Sequence, residues 1–199
     1  MEKEIPKDVV ENLMNSEGEV LGIGPKSDFE YIKHRFGNEG VEKLEAELKR
    51  LGHPLEHHGM KDRKFYPIGT QGLIVMAMKN IFDLSDEDFQ EVGEFSARLP
   101  LIMRVFMKYF FSIETVAREA PRMWRRYYTK GDFQVLEIDE KNKKAVIKIS
   151  DFNLTPILCE TFKGYFRGVV QMVVKGEATC EELKCPHRGD EHHEFLITW

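Results

Sequence analysis

At Phe133 the spacing of apolar residues changes, and that change limits the fold more than any other feature of the chain. Before it, apolar residues recur at helical intervals. Residues 133–138 and 145–149 are instead short runs rich in β-branched and aromatic side chains, separated by the polar turn DEKNKK, which predicts an antiparallel hairpin. Thr155 and Pro156 then supply an N-cap and a first helical position, and Leu158, Phe162, Tyr165, Phe166, Val169, Val170 and Val173 form one apolar stripe that ends at Gly176. The chain closes with a strand over 178–185, a turn at PHRGDE and a strand over 193–199. The expected fold class is α+β: an N-terminal helical bundle packed on a small antiparallel sheet, with a helix between two C-terminal hairpins.

The helical part reads as follows. Residues 7–14 form a short helix, and a glycine-containing stretch covers 16–25. Ser27 with Glu30 is a capping-box pattern that starts a helix running through Phe36 and ending at Gly37. A second helix sets Val41, Leu44, Leu48 and Leu51 on one face and stops at Gly52. The segment GTQGLIVMAMKNIF, apolar almost all round, is the expected central core helix within 67–83. Ser85 with Asp88 caps the next helix, and Pro100 opens LIMRVFMKYFF, whose wet side carries Arg104 and Lys108. One more helix covers 113–129, bent near Pro121, with Arg118, Arg122, Arg125 and Arg126 on its solvated side. At 199 residues a single domain is expected, with 1–60 as a peripheral helical region and 61–199 as the ligand-binding core.

Charge and hydropathy remove whole classes of partner. A net charge of −5 gives no global positive field for phosphate backbones or anionic lipid, so neither nucleic acid nor a membrane surface is expected. No apolar run approaches the roughly 20 residues of a spanning helix, and MEKEIPKDVV has no signal-type stretch, so a cytoplasmic location is expected. The run HPLEHHG, with His53, His57 and His58, reads as a solvated loop. GIGPKSD lacks the third glycine of a dinucleotide fingerprint and reads as a turn.

The 3 cysteines, Cys159, Cys180 and Cys185, all lie in the last quarter, an odd count that argues against a disulfide framework and for metal. Cys159, Glu182, Cys185 and His193 are competent ligands, and thiolate with imidazole and carboxylate suits zinc. Cys159 falls in the first turn of its helix, where unpaired N–H groups favour a thiolate. Cys185 and His193 flank the turn, opposite each other if a hairpin is centred there. Glu182 and Cys185 have opposite parity in a flat strand, so a bulge is needed, or Cys180, His187 or His192 takes a ligand position. The bland reading is that the cysteines are small buried hydrophobes. Met103, Phe106, Phe110, Trp124 and Tyr128 are candidates for an apolar pocket in which tryptophan or tyrosine supplies the polar tip, although such a stripe is more often plain core.

The stretch TCEELKCPHRGDEHHEFLITW is similar to the C-terminal signature of the 4-vinyl reductase domain, matching at Glu182, Cys185, Gly189, Asp190, His193, Glu194 and Phe195. The helix PILCETFKGYFRGVV resembles the same family's helix, with Cys159 at the ligand position and Gly164 and Gly168 on its body. The resemblance covers roughly 130–199 closely and the preceding helices loosely. It implies zinc held by cysteines and a glutamate, as in sensor domains of aromatic-hydrocarbon-responsive activators, with His193 standing where a third cysteine is usual. It also implies a homodimer. The expected function is a sensory domain that binds a small hydrophobic or aromatic ligand and carries a structural zinc. One alternative is a part in vinyl-group reduction in tetrapyrrole biosynthesis, for which no nicotinamide or flavin fingerprint is present. Another is a haem-based gas sensor of the same fold, whose Tyr-x-Ser-x-Arg propionate motif this chain lacks.

Overall fold

The computed structural model describes residues 5–99 and 112–199. Among them the chain order is α1 (Lys7–Met14), β1 (Glu19–Leu21), α2 (Ile23–Arg50), β2 (Phe65–Pro67), α3 (Gly69–Phe82), α4 (Asp86–Arg98), α5 (Ile113–Tyr127), β3 (Asp132–Asp139), β4 (Lys144–Ser150), α6 (Pro156–Val174), β5 (Thr179–Lys184) and β6 (His193–Thr198). The α+β class and the helix between two hairpins are as expected. The hairpins join into one four-stranded antiparallel sheet of order β3-β4-β6-β5, and β1 and β2 form a separate ribbon that the sequence reading did not find. The helix expected from Pro100, with Arg104 and Lys108, lies outside the described residues.

Two-residue periodicity fixes which side of the sheet is dry. On β4, Ala145, Ile147 and Ile149 are buried; on β6, His193, Phe195 and Ile197 are, and the register pairs Ile149 with His193 and Ile147 with Phe195. The stripe on α6 covers that side, with Phe166 meeting Phe195 edge-on at 5.3 Å. Thr155 caps α6 through its side chain, as the sequence implies, while Lys175 in the left-handed region ends it.

Three local expectations are corrected. Ser27 and Glu30 do not start a helix: α2 begins at Ile23, because Pro25 falls in a first turn where its missing N–H costs nothing. Ser27 lies inside α2 and donates to the Gly24 carbonyl at 2.6 Å. GIGPKSD is thus a helix start and not a turn, whereas the expected break at Gly37 is present: its φ of 70° and ψ of −167° are non-helical and divide α2 into two helical segments. His57 is not solvated: its ring is 4% exposed, stacks on Phe29 and contacts Glu30 Oε1 at 2.7 Å. The first 60 residues also contribute to the common core, since Val20, Phe29, Ile32 and Leu44 are fully buried. The Ser85–Asp88 capping box is formed in both directions. α5 stays helical through Pro121, and Arg118, Arg122, Arg125 and Arg126 are exposed.

Helices α4 and α6 meet at glycines. A Cβ on Gly93 would sit 1.9 Å from the Thr161 carbonyl oxygen, and one on Gly164 would sit 1.8 Å from that of Gln90. Backbone approaches backbone here, so no side chain can rotate out of the way. Gly164→Ala should lower unfolding free energy by about 1–3 kcal/mol in urea denaturation, the usual range for overpacking. Gly176→Ala, where the nearest atom is 3.9 Å away, should stay within about 0.5 kcal/mol of the parent. Equal effects would contradict the close crossing.

Candidate functional site

Cys159, Glu182, Cys185 and His193 converge, with one ligand atom from each lying within 4.8 Å of the others. Each arrives by a local rule. Cys159 sits in the first turn of α6, four positions after its cap, and is 3% exposed. His193 opens β6 on the same buried side as Phe195 and Ile197, and is 2% exposed. Glu182 lies on β5 opposite Phe195, and the register shift between Glu182 and Lys184 is the bulge that returns Cys185 to the inner side. The turn is held from within: Asp190 Oδ2 accepts from the Cys185 N–H at 2.8 Å, and Gly189 takes φ 96°.

The sulfur atoms of Cys159 and Cys185 are 3.6 Å apart, and Cys159 Sγ is 3.8 Å from His193 Nδ1. A tetrahedral zinc with Zn–S of about 2.3 Å would set two sulfurs about 3.8 Å apart, so these spacings fit such an ion. His193 Nε2 donates to the Phe152 carbonyl at 2.7 Å, which leaves the neutral ring's lone pair on Nδ1, facing inward. Nδ1 is also 2.8 Å from Glu182 Oε1. Burial works against charge on Glu182, but His193, the Cys185 thiol and Arg188 outweigh it and hold the carboxyl below its usual range. Two lone-pair-bearing atoms therefore face each other, and a proton or a cation must lie between them.

Burial, then the Glu182 carboxylate and the neighbouring Cys185 sulfur, pushes the Cys159 thiol well up. Arg188 clamps the carboxylate from outside, with Nη1 3.2 Å from Glu182 Oε2 and Nη2 donating to the Glu182 carbonyl at 3.0 Å. The substitute ligands stay out of the cluster. Burial pushes Cys180 up to about 12, His192 pairs with Glu194, and the His187 ring is 6.3 Å from that of His193. The roles of the Phe152 carbonyl and Arg188 were missed, since backbone acceptors carry no sequence signal.

A cavity of about 190 Å³ lies between α2, α3, α4, α5, α6 and the sheet. Its wall is mostly apolar and includes Val116, Ala120, Trp124, Val135, Ile147, Phe162, Phe166 and Ile197. Of the expected pocket residues, Trp124 and Tyr128 line it, while Met103, Phe106 and Phe110 lie outside the described residues. The expected polar tips are already used. Trp124 Nε1 donates to the Lys130 and Gly131 carbonyls at 3.1 Å each, and Tyr128 Oη donates to Gln71 Oε1 at 3.0 Å.

The polar group of the cavity is instead Asp28, 1% exposed, whose Oδ2 has no hydrogen-bond partner among the described residues. Its sequence signal is a carboxylate at helical spacing from Pro25 and Ile32, both buried on α2.

No family model matches the sequence, and no curated protein matches it either. The 4-vinyl reductase resemblance therefore rests on the C-terminal residues alone. Solved structures of H-NOX proteins do match in fold. An H-NOX protein from S. oneidensis in the Fe(II)NO ligation state is 15% identical with a TM-score of 0.68, covering 88% of this chain and 97% of that one. One from K. algicida, Fe(II) unliganded, is 14% identical with a TM-score of 0.63, covering 89% and 95%. An oxygen-binding H-NOX domain related to soluble guanylate cyclases, in its oxygen complex, is 11% identical with a TM-score of 0.60, covering 86% and 90%. At such identities the likeness is one of fold: this chain has the H-NOX fold. Among the described residues no helix is long and apolar enough to cross a membrane.

Burial raises the Asp28 carboxyl well above its usual range, opposed by the hydrogen bond from Gln71. An acid raised in the folded state contributes stability that is full below its unfolded value, about 3.9, and is lost as pH climbs toward the folded value. The stability of Asp28→Asn relative to the parent should therefore rise between pH 4 and pH 7 in thermal denaturation. A difference that is flat or falls over that window would show that Asp28 is paired as an anion.

Proposed function

We propose that this chain is a ligand-binding sensory domain whose cavity takes a small hydrophobic or aromatic molecule, with a structural zinc held by Cys159, Glu182, Cys185 and His193. The observation that carries the reading is the mostly apolar cavity of about 190 Å³. An engineered cavity of about 150 Å³ takes one benzene ring, so the space here suits a single ring with a short substituent. Helix α6 belongs to both features: Cys159 is in its first turn, and Thr161, Phe162, Tyr165 and Phe166 face the cavity. A ligand that moves α6 thus pulls against the tied hairpin, which is a route by which occupancy reaches the surface.

Zinc is supported by the donor set and by Nδ1 and the Glu182 carboxylate facing each other across 2.8 Å. A cation between them would relieve that contact and the crowding of acidic groups around Cys159. Four protein ligands close the shell, which favours a structural ion over one that activates water. Protein prepared without added metal should carry one zinc per chain by elemental analysis, and Cys159→Ser and His193→Ala should lose it while Cys180→Ser keeps it. An ion present at 1,000 times its dissociation constant adds about 4 kcal/mol, so chelation should lower Tm by roughly 8–16 °C for a chain of this size. A full complement of zinc in the Cys159 and His193 variants would refute the ligand set.

The fold likeness by itself favours the other reading, a haem-based gas sensor, because the matching solved structures include H-NOX proteins in Fe(II)NO and oxygen-bound states. The residues that would have to hold haem do not fit it. All 7 histidines and all 3 cysteines of the chain lie outside the cavity lining, so neither imidazole nor thiolate is available to an iron there. The Tyr128 hydroxyl is engaged with Gln71, no lysine or arginine among the described lining residues would meet propionates, and the volume is below that of a porphyrin. Titration with haem should give no ligated Soret band at one equivalent. Such a band would replace the present reading with the gas-sensor one.

A further inference from the structure

The cavity has one end unlike the rest. Asp28 is the only ionisable carboxyl among its described lining residues, and no lysine, arginine or histidine there offers it a counter-charge. Its Oδ2 lacks a partner while the residue is 1% exposed, a costly arrangement in an apolar interior. Ser27 and Ser96 line the same cavity and share a hydrogen bond at 3.0 Å, adding hydroxyl oxygens to the polar part of the wall. The remaining wall presents aromatic rings, among them Trp124, Tyr127, Tyr128, Phe162 and Tyr165. Ring faces carry negative partial charge, and their attraction for a cation grows when water is excluded.

From this sign pattern, and resting on the cavity reading above, we infer that the ligand is a small aromatic or alkyl amine, bound as its ammonium with the nitrogen on Asp28 Oδ2. An ammonium brings three N–H donors and the missing counter-charge to a site that otherwise offers acceptors. A neutral hydroxyl brings one donor and leaves the carboxyl without a counter-ion. A carboxylate ligand would lie against the ring faces with no counter-charge among the described lining residues. The size fits, since 190 Å³ accommodates one ring with an aminomethyl arm. Asp28 binds through its ionised form, so its proton passes to solvent as the ammonium enters, and Gln71, which also accepts from Tyr128, stays hydrogen-bonded to the carboxylate.

The test is calorimetric titration of the full chain with four probes of one shape: benzylamine, benzyl alcohol, toluene and benzoate. The expected result is benzylamine at least tenfold tighter than benzyl alcohol, no binding of benzoate, and loss of the amine preference in Asp28→Asn with toluene affinity unchanged within about twofold. Retained toluene binding reports that the variant's cavity is intact. Benzyl alcohol or toluene binding as tightly as benzylamine to the parent chain overturns the amine assignment and leaves the apolar cavity reading standing. Failure of all four probes overturns both.

Discussion

An imidazole nitrogen and a carboxylate oxygen 2.8 Å apart, both buried and both with lone pairs facing inward, set the terms for the C-terminal half of this molecule. The Phe152 carbonyl fixes the tautomer, and so removes the easy solution in which His193 donates from Nδ1 as a neutral ring. What lies between the two groups has to be positive. A doubly protonated ring would meet that need for Glu182 alone. A divalent ion meets it for Glu182 and for the two thiols as well, and the sulfur spacing of 3.6 Å is close to a tetrahedral edge.

That cluster has structural consequences beyond itself. Without a tie, β5 would be an edge strand of six residues ending in a turn with little apolar cover, its Leu183 44% exposed. The tie joins the turn to the start of α6, and α6 in turn packs backbone to backbone on α4 through Gly93 and Gly164. The cavity sits along the same helix. The cavity, a helix crossing and a proposed ion thus share one rigid element, which makes the position of α6 the natural quantity for a molecule bound in the proposed way to change.

Much of this was readable from residues. A hairpin centred on the Arg188–Asp190 turn set Cys185 and His193 opposite each other, and the parity conflict between Glu182 and Cys185 pointed to the bulge that the register shows. The Thr155–Pro156 start placed Cys159 in the first turn of α6, but burial and the neighbouring acidic groups push its thiol up, against the thiolate that the helix start alone would favour. What failed did so because tertiary context outweighed local signals. Ser27 looks like a cap, yet Pro25 is the better first-turn residue and pushes Ser27 inside the helix. His57 sits in a loop rich in helix breakers, but its ring finds Phe29 and Glu30, 28 and 27 positions away, and such partners leave no trace in the loop's own sequence. Asp28 was overlooked for the opposite reason: a carboxylate is ordinarily read as solvated, and only the closing of five helices over it makes it an interior group. Trp124 and Tyr128 line the cavity, but their polar atoms are used by the backbone and by Gln71.

X-ray absorption at the zinc edge tests the central claim most directly, because it counts ligand types around the ion without requiring activity or a known small molecule. The account predicts two sulfur scatterers at about 2.3 Å and two nitrogen or oxygen scatterers at about 2.0–2.2 Å, with the zinc signal lost in Cys159→Ser. A shell made only of nitrogen and oxygen, or a spectrum unchanged in that variant, would contradict it.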